Sequence, residues 1–292
     1  MNQLPFVKAG KALHSAFNRL KSIENDDPEL TPEGWFDAQP SARIHIGSKT
    51  VILSQPSSTF LVYFLGVLTI AVGLYFLQVR GKEMSRLMWG ISLVLLGIGA
   101  LLAGTSYQAF GYQIKSQGRK VCAWTSWWEV IYLMLHQVSL NAMLIAVAYS
   151  CTDGLWLKVL TTYAVVLSVC YMLLTLIGGL VPIKSLITFE LMVLISTPTV
   201  LFFLALNGYR YFMFKSPMDL ALLGAWALML LSMALYWIYD YLGIARKLWN
   251  HKNRIWFSEN DVLHIAFIFW VVYIATVVVG RIEDYAVPLF PL

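Results

Sequence analysis

The sequence predicts an all-α polytopic membrane protein: a seven-transmembrane-helix bundle over residues 58–292, preceded by a short cytoplasmic extension, residues 1–57. Three observations carry that reading. Hydrophobic residues make up 59% of the chain and charged residues 13%, about half the charged share of a soluble domain. Apolar stretches of about 20 residues, enough to cross a hydrocarbon core about 30 Å thick, recur along the chain. Polar side chains inside those stretches are few and gather towards one end.

The extension has its own order. Phe6, Gly10, Leu13, Phe17 and Leu20 fall on one face of a helix, with Lys8, Lys11, Ser15, Asn18 and Arg19 on the other. Two uses fit such a basic amphipathic helix: lying on an anionic leaflet, or docking on the protein's own loops. The acidic run from Glu24 to Glu29 follows and argues against an organellar presequence. The first 57 residues hold no apolar h-region, so no cleavable signal peptide is expected. Residues 42–46 and 49–53 are β-prone and flank Gly47-Ser48, which reads as a small hairpin with His45 as an ordinary strand residue.

The expected spans are 58–77, 87–110, 127–149, 155–177, 185–206, 218–241 and 261–280. Pro198, beside Ser196, Thr197 and Thr199, should kink the fifth helix while neighbouring hydroxyls satisfy freed carbonyls. Cys122, Cys151 and Cys170 form no CxxC and no evident pair. Lys and Arg number 14 on the N-terminal side of the bundle and 7 on the other. The positive-inside rule therefore places the N-terminus in the cytoplasm and the C-terminus across the membrane. That orientation is opposite to a G-protein-coupled receptor. A retinal protein needs a lysine in the last helix, and 261–280 has none. The basic residues sit in juxtamembrane loops, so nucleic-acid binding is not expected.

The polar residues supply the candidate site. An Asp near mid-membrane costs about 2.5–3.5 kcal/mol even on gentle scales, so clustered ones point to a function. Helix two ends with Thr105, Ser106, Gln108 and Tyr112. Helix three opens after Trp124, Trp127 and Trp128, which read as an interfacial belt. Its Glu129, Tyr132, His136 and Ser139 span an arc of about 80°. Glu190 begins helix five; Tyr236 and Asp240 end helix six, with helix capping as the alternative role for Glu190 and Asp240. Asn260, Asp261 and His264 open helix seven. Topology brings Gln108, Glu129, Glu190, Asp240, Asp261 and His264 to similar depth, from five helices. Such carboxylates and imidazoles suit a zinc-bound water, acid–base catalysis or a proton relay.

The layout resembles the CREST superfamily of seven-helix membrane hydrolases, which includes alkaline ceramidases and the progestin and adipoQ receptors. The stretch from Gly104-Thr105-Ser106 to Tyr112 is similar to that group's helix-two element, Glu129 stands near its helix-three Asp, and Asn260-Asp261-Val262-Leu263-His264 resembles its helix-seven HxxxH. The resemblance implies a membrane lipid as substrate and a zinc-activated water that cleaves an amide. Two of the three zinc histidines are absent here. Gln108 or Gln113 is the nearest substitute in helix two, and Asn260 replaces the first histidine of helix seven.

Three functions follow as expectations. In the first, a hydrolase of a lipid amide or ester uses Glu129, Asp261 and His264 as acid–base groups or metal ligands, with His264 and Asp261 holding a divalent metal such as zinc. In the second, a non-enzymatic sensor or receptor binds a small molecule or lipid through Ser106, Gln108, Tyr112, His136, Glu190, Tyr236, Asp240 and Asn260. A transporter or proton pathway ranks last, because the outer half beyond Ser139, Asn141 and Ser168 is thinly polar.

Overall fold

The structure, a computed structural model, describes residues 14–47, 49–249 and 254–285. Seven helices are long and apolar enough to cross a membrane, and they fit a multi-pass membrane protein. They are α1 (Pro56–Val79), α2 (Met84–Gly104), α3 (Trp127–Cys151), α4 (Gly154–Leu180), α5 (Phe189–Phe214), α6 (Pro217–Tyr241) and α7 (Glu259–Tyr273). At 1.5 Å per residue, the 24 residues of α1 span about 36 Å, more than the hydrocarbon core requires. Two helices continue as π-helix, α2 through Thr105–Ala109 and α7 through Ile274–Val278. Pro198 lies within α5, and Thr197 Oγ1 donates to the Val193 carbonyl at 2.8 Å beside it.

Packing runs round a ring. α1 lies on α2, α2 on α3, α3 on α5, α5 on α6, α6 on α7, and α7 closes on α1, while α4 packs on the outside of α3. The tightest approach is α1 against α2, where glycines replace side chains. A Cβ on Gly97 would lie 2.6 Å from the Gly66 carbonyl oxygen, and one on Gly73 would lie 2.8 Å from the Val94 nitrogen. Small residues at this spacing let membrane helices gain dispersion contacts where no hydrophobic effect separates them from lipid.

One half of the ring is filled by a stack of four fully buried aromatic side chains from α1, α2, α6 and α5. Phe76 stacks on Trp89 at 6.0 Å, Trp89 on Trp226 at 5.7 Å, and Trp226 on Phe203 at 4.4 Å. Below it, Asp219 is completely buried and receives Arg210 Nε at 3.2 Å and Asn207 Nδ2 at 2.8 Å. Trp226 Nε1 donates to Asn207 Oδ1 at 2.9 Å, joining the network to the stack. The expectation of a thinly polar outer half needs correction here. Asp219 is a buried partner of Arg210 rather than an interfacial charge.

The opposite end of the bundle carries the N-terminal segment. β1 (Ser41–Ile46) and β2 (Lys49–Ser54) pair antiparallel from Ser41↔Ser54 to Ile46↔Lys49. Gly47 takes the left-handed turn conformation at φ 61°; Ser48 lies outside the described residues. Gln113 Nε2 donates to the Ile52 carbonyl at 3.0 Å and holds the hairpin against the extension of α2. We call this the hairpin end.

Of the amphipathic helix, residues 14–19 are helical, whereas Phe6, Lys8, Gly10, Lys11 and Leu13 lie outside the described residues. The described part docks on the protein's own loops. Trp127 Nε1 donates to the Phe17 carbonyl at 2.9 Å and its ring meets the Phe17 ring edge-on at 4.8 Å. Trp124 Nε1 donates to Asp26 at 2.8 Å, and Lys184 also pairs with Asp26. The hydrogen bond from Lys184 holds that carboxyl below the usual Asp range. Trp35, buried, donates to Ser54 Oγ at 3.3 Å. Trp124 and Trp127 therefore dock the N-terminal segment instead of serving only as an interfacial belt.

Candidate functional site

The site starts from the end of α2. There the chain makes two π turns, Thr105–Ala109 and Tyr112–Ser116, closed by Phe110 N to the Thr105 carbonyl and Gln117 N to the Tyr112 carbonyl. Each wider turn displaces the register that a straight α-helix would have. Ser106, Gln108 and Lys115 are all buried in this stretch.

Ser106 and Lys115 converge on Glu129, in the first turn of α3. Lys115 Nζ lies 2.9 Å from Glu129 Oε1, Ser106 Oγ donates to the same oxygen at 2.7 Å, and Thr125 Oγ1 donates to Oε2 at 2.9 Å. Ser106 Oγ also lies 2.7 Å from Ser126 Oγ. Glu129 is 2% exposed, and the ammonium neutralises it where water cannot. Lys115 stands 4.8 Å above the Tyr107 ring; Tyr107 meets Tyr132 edge-on at 5.9 Å, and Tyr132 meets His136 at 5.1 Å. This aromatic path joins the ion pair to the wall of a cavity.

The cavity measures about 460 Å³ and lies inside the ring formed by α1, α2, α3, α5, α6 and α7. Its wall is largely apolar, from Leu65, Leu140, Met143, Phe267 and their neighbours. Gln108, His136, Glu190, Tyr236, Asn260 and His264 all reach it. Leu201 of α5 and Leu230 and Trp237 of α6 line it too, yet are 58%, 40% and 40% exposed. The cavity therefore opens sideways between α5 and α6, through the face that would meet lipid.

His136 Nδ1 lies 3.1 Å from the Tyr132 carbonyl. A carbonyl only accepts, so Nδ1 carries the proton and Nε2 is left as the ring's acceptor. Gly99 makes room for that ring, because a Cβ there would sit 2.7 Å from Nδ1. On α7 a capping box fixes Asp261: Ser258 N and Oγ donate to its Oδ2 at 2.6 and 3.0 Å, and Ser258 Oγ accepts from Asp261 N at 3.3 Å. Buried atoms without a partner in this region include Gln108 Oε1, Gln113 Oε1, Gln137 Nε2, Asp261 Oδ1 and His264 Nδ1.

The structure corrects several expectations. Among the described residues no three His, Cys, Asp or Glu side chains come together as a metal site. The set Glu129, Asp261 and His264 does not assemble. Glu129 is bound by Lys115 and two hydroxyls, and one Asp261 oxygen is spent on its helix cap. Zinc's usual four donors are not met by the residues present, and a role for Glu129 as a free base conflicts with its ion pair. Ser106 and Tyr112 also lie off the cavity; the Tyr112 ring packs on Phe36 at 4.9 Å. Asp240 lines a separate cleft of about 300 Å³ with Tyr239, Arg246 and Glu259.

Lys115 is the functional neighbour that sequence reasoning missed, since it reads as one more basic loop residue. Its place three residues after Tyr112 was the available signal, but only the π turns carry it inwards. Compared with known proteins, the chain matches no family model and none of the curated proteins searched.

Proposed function

We propose that this is a non-enzymatic membrane sensor or receptor whose cavity takes a lipid-like amphiphile from the surrounding bilayer. The observation that carries the reading is the 460 Å³ cavity, apolar along most of its wall and open between α5 and α6. Its size lies within the range of about 300–1,000 Å³ typical of ligand pockets. The polar groups gathered in it, Gln108, His136, Asn260 and His264, supply an anchoring end. In this reading the resemblance to the CREST superfamily is one of layout, retained after the three-histidine chemistry has gone. Ser106 touching Glu129 at 2.7 Å fits that relation, and Lys115 supplies the positive charge beside the acid. By the charge count the hairpin end faces the cytoplasm, where the N-terminal segment packed on Trp124 and Trp127 is suited to relay occupancy.

The test is lipid analysis of the full-length protein extracted from its membrane. The protein should carry bound amphiphile, and Met233→Trp, which fills the cavity wall, should lose most of it while retaining the helical circular dichroism of the parent. Equal lipid in both proteins would remove the cavity as the binding place. Steady release of a cleaved lipid by the parent, abolished by His264→Ala, would restore the hydrolase.

A further inference from the structure

We infer that Leu20 and Ile23 of the N-terminal segment are positioning residues of the cavity: docked, they back the wall that faces the amphiphile, so that cavity occupancy and docking of the segment strengthen each other. This rests on the proposed lipid-binding reading and names how that site is regulated. The segment is shaped for the contact. Its helix tightens into one 3₁₀ turn at Leu20–Ser22, and about three residues per turn put Leu20 and Ile23 on one side. Both are buried in one cluster with Tyr132 and Leu133 of α3, Tyr171 of α4 and Met192 of α5. Phe189 of α5 and Ala103, at the end of α2, pack against the same cluster. Tyr132, Met192, Phe189 and Ala103 also line the cavity. The same four side chains thus belong to the cavity wall and to the packing that holds the segment.

The hold is mainly apolar. Asp26 pairs with Lys184, but the two side chains are 74% and 37% exposed, and such surface pairs contribute little. Leu20 and Ile23 instead remove apolar side chains from water, the dominant favourable term in packing. Hydrogen bonds add a clasp. Asn25 Nδ2 donates to the Cys122 carbonyl at 3.1 Å, and Cys122 N donates to the Leu30 carbonyl at 2.9 Å. The next residue, Ala123, donates its N–H to the Lys115 carbonyl at 2.8 Å, so residues 25–30 also steady the loop beside the Lys115–Glu129 pair. The sign of the coupling follows from the packing. The cavity is formed while the segment is docked. Without that backing Tyr132, Met192 and Phe189 are free to relax outwards, and a ligand must order them again at a cost in affinity. Linkage makes the effect reciprocal: the factor that docking adds to affinity, the bound amphiphile adds to docking.

Limited proteolysis of the full-length protein, freed of co-purified lipid, tests this with 1-monooleoylglycerol as the probe. Trypsin cleavage after Arg19 and Lys21, which flank the buried Leu20, needs local opening, so its rate reports undocking. Saturating probe should slow that cleavage by about tenfold, within the usual range of coupling between two sites. Met233→Trp, which fills the cavity wall, should abolish the protection. Reciprocally, Leu20→Asn combined with Ile23→Asn should weaken probe binding by the same factor of about ten. Leu20→Met combined with Ile23→Val keeps the apolar contact and should retain the parent's affinity. Asp26→Asn breaks only the exposed pair and should change affinity by less than about twofold. A merely structural segment would lower the melting temperature of the Leu20→Asn, Ile23→Asn protein without altering its affinity. Should that protein fail to fold, the cleavage measurement on the parent decides. Probe binding with unaltered cleavage overturns the coupling and leaves the lipid-binding reading standing. If the probe neither binds nor displaces co-purified lipid, the lipid-binding reading falls and the coupling with it.

Discussion

Glu129 and Lys115 are separated by 14 positions in the chain, and the buried bond between them decides what Glu129 can do. Taking a carboxylate and an ammonium out of water costs several kcal/mol each, which their attraction and added hydrogen bonds must offset. Ser106 and Thr125 supply those bonds, so Glu129 is saturated and the pair is tied to the structure around it. Lys115→Met leaves a carboxylate buried with two hydroxyls and should destabilise the protein by about 3–5 kcal/mol. Lys115→Met combined with Glu129→Leu should regain most of that loss. Denaturant unfolding in detergent reads both, and a double variant no better than the single one would show that the ion pair contributes little. Gln108 and His264 present the contrary case. Both residues line the cavity, and Gln108 Oε1 and His264 Nδ1 are buried without a partner, whereas both Glu129 oxygens are satisfied.

At the scale of elements, glycine decides how closely α1 and α2 approach, and the π turns decide which residues of the α2 extension point inwards. A Cβ at Gly97 meets backbone, the Gly66 oxygen at 2.6 Å and the Ile70 nitrogen at 2.9 Å, so neither neighbour can yield by changing rotamer. Gly97→Ala should cost about 1–3 kcal/mol through overpacking and lower the melting temperature. Gly208 in α5 is the control: nothing lies within 4 Å of its Cβ position. Gly208→Ala should be neutral or stabilising by up to about 1 kcal/mol, from reduced backbone entropy in the unfolded chain. Equal losses at both positions would show that the α1–α2 contact is looser than described. The hairpin shows how far local pattern can reach. Two β-prone runs joined by two residues pair in the register that turn length favours, and Gln113 ties the second strand to the α2 extension.

The whole molecule divides its interior between the two ends. Four stacked rings and the Arg210–Asp219 network fill one half of the ring, and the cavity occupies the hairpin half with its lateral opening. Under the proposed function, an amphiphile entering from the bilayer would need no passage across the membrane. The proposed orientation, with the hairpin end in the cytoplasm, rests on charge alone and is open to a direct test. With the native cysteines replaced, Lys82→Cys in the α1–α2 turn should react with a membrane-impermeant maleimide on intact cells. Arg43→Cys in β1 should react only after permeabilisation. The reverse pattern would turn the bundle over and place the N-terminal segment outside.

The number of helices, the bounds of six of the seven to within a few residues and the hairpin were legible in the sequence, because hydrophobic length and period fix depth and secondary structure. α5 runs on to Phe214, eight residues past its expected end, and the Arg210–Asp219 network shows that polar groups are not confined to one end. Depth, however, does not fix azimuth. The sequence puts Gln108, Glu129, Glu190, Asp240, Asp261 and His264 at one level, but only packing determines that Gln108, Glu190 and His264 line the cavity. Packing likewise set Glu129 against Lys115, Asp261 in its cap with Ser258, and Asp240 in another cleft. The Arg210–Asp219 pair was hidden for a similar reason: its two charges lie near helix ends, where solvent exposure is the ordinary expectation, and the turn between α5 and α6 folds them onto each other. A helical pattern predicts which side chains share a face; neighbouring helices and the two π turns decide what that face meets.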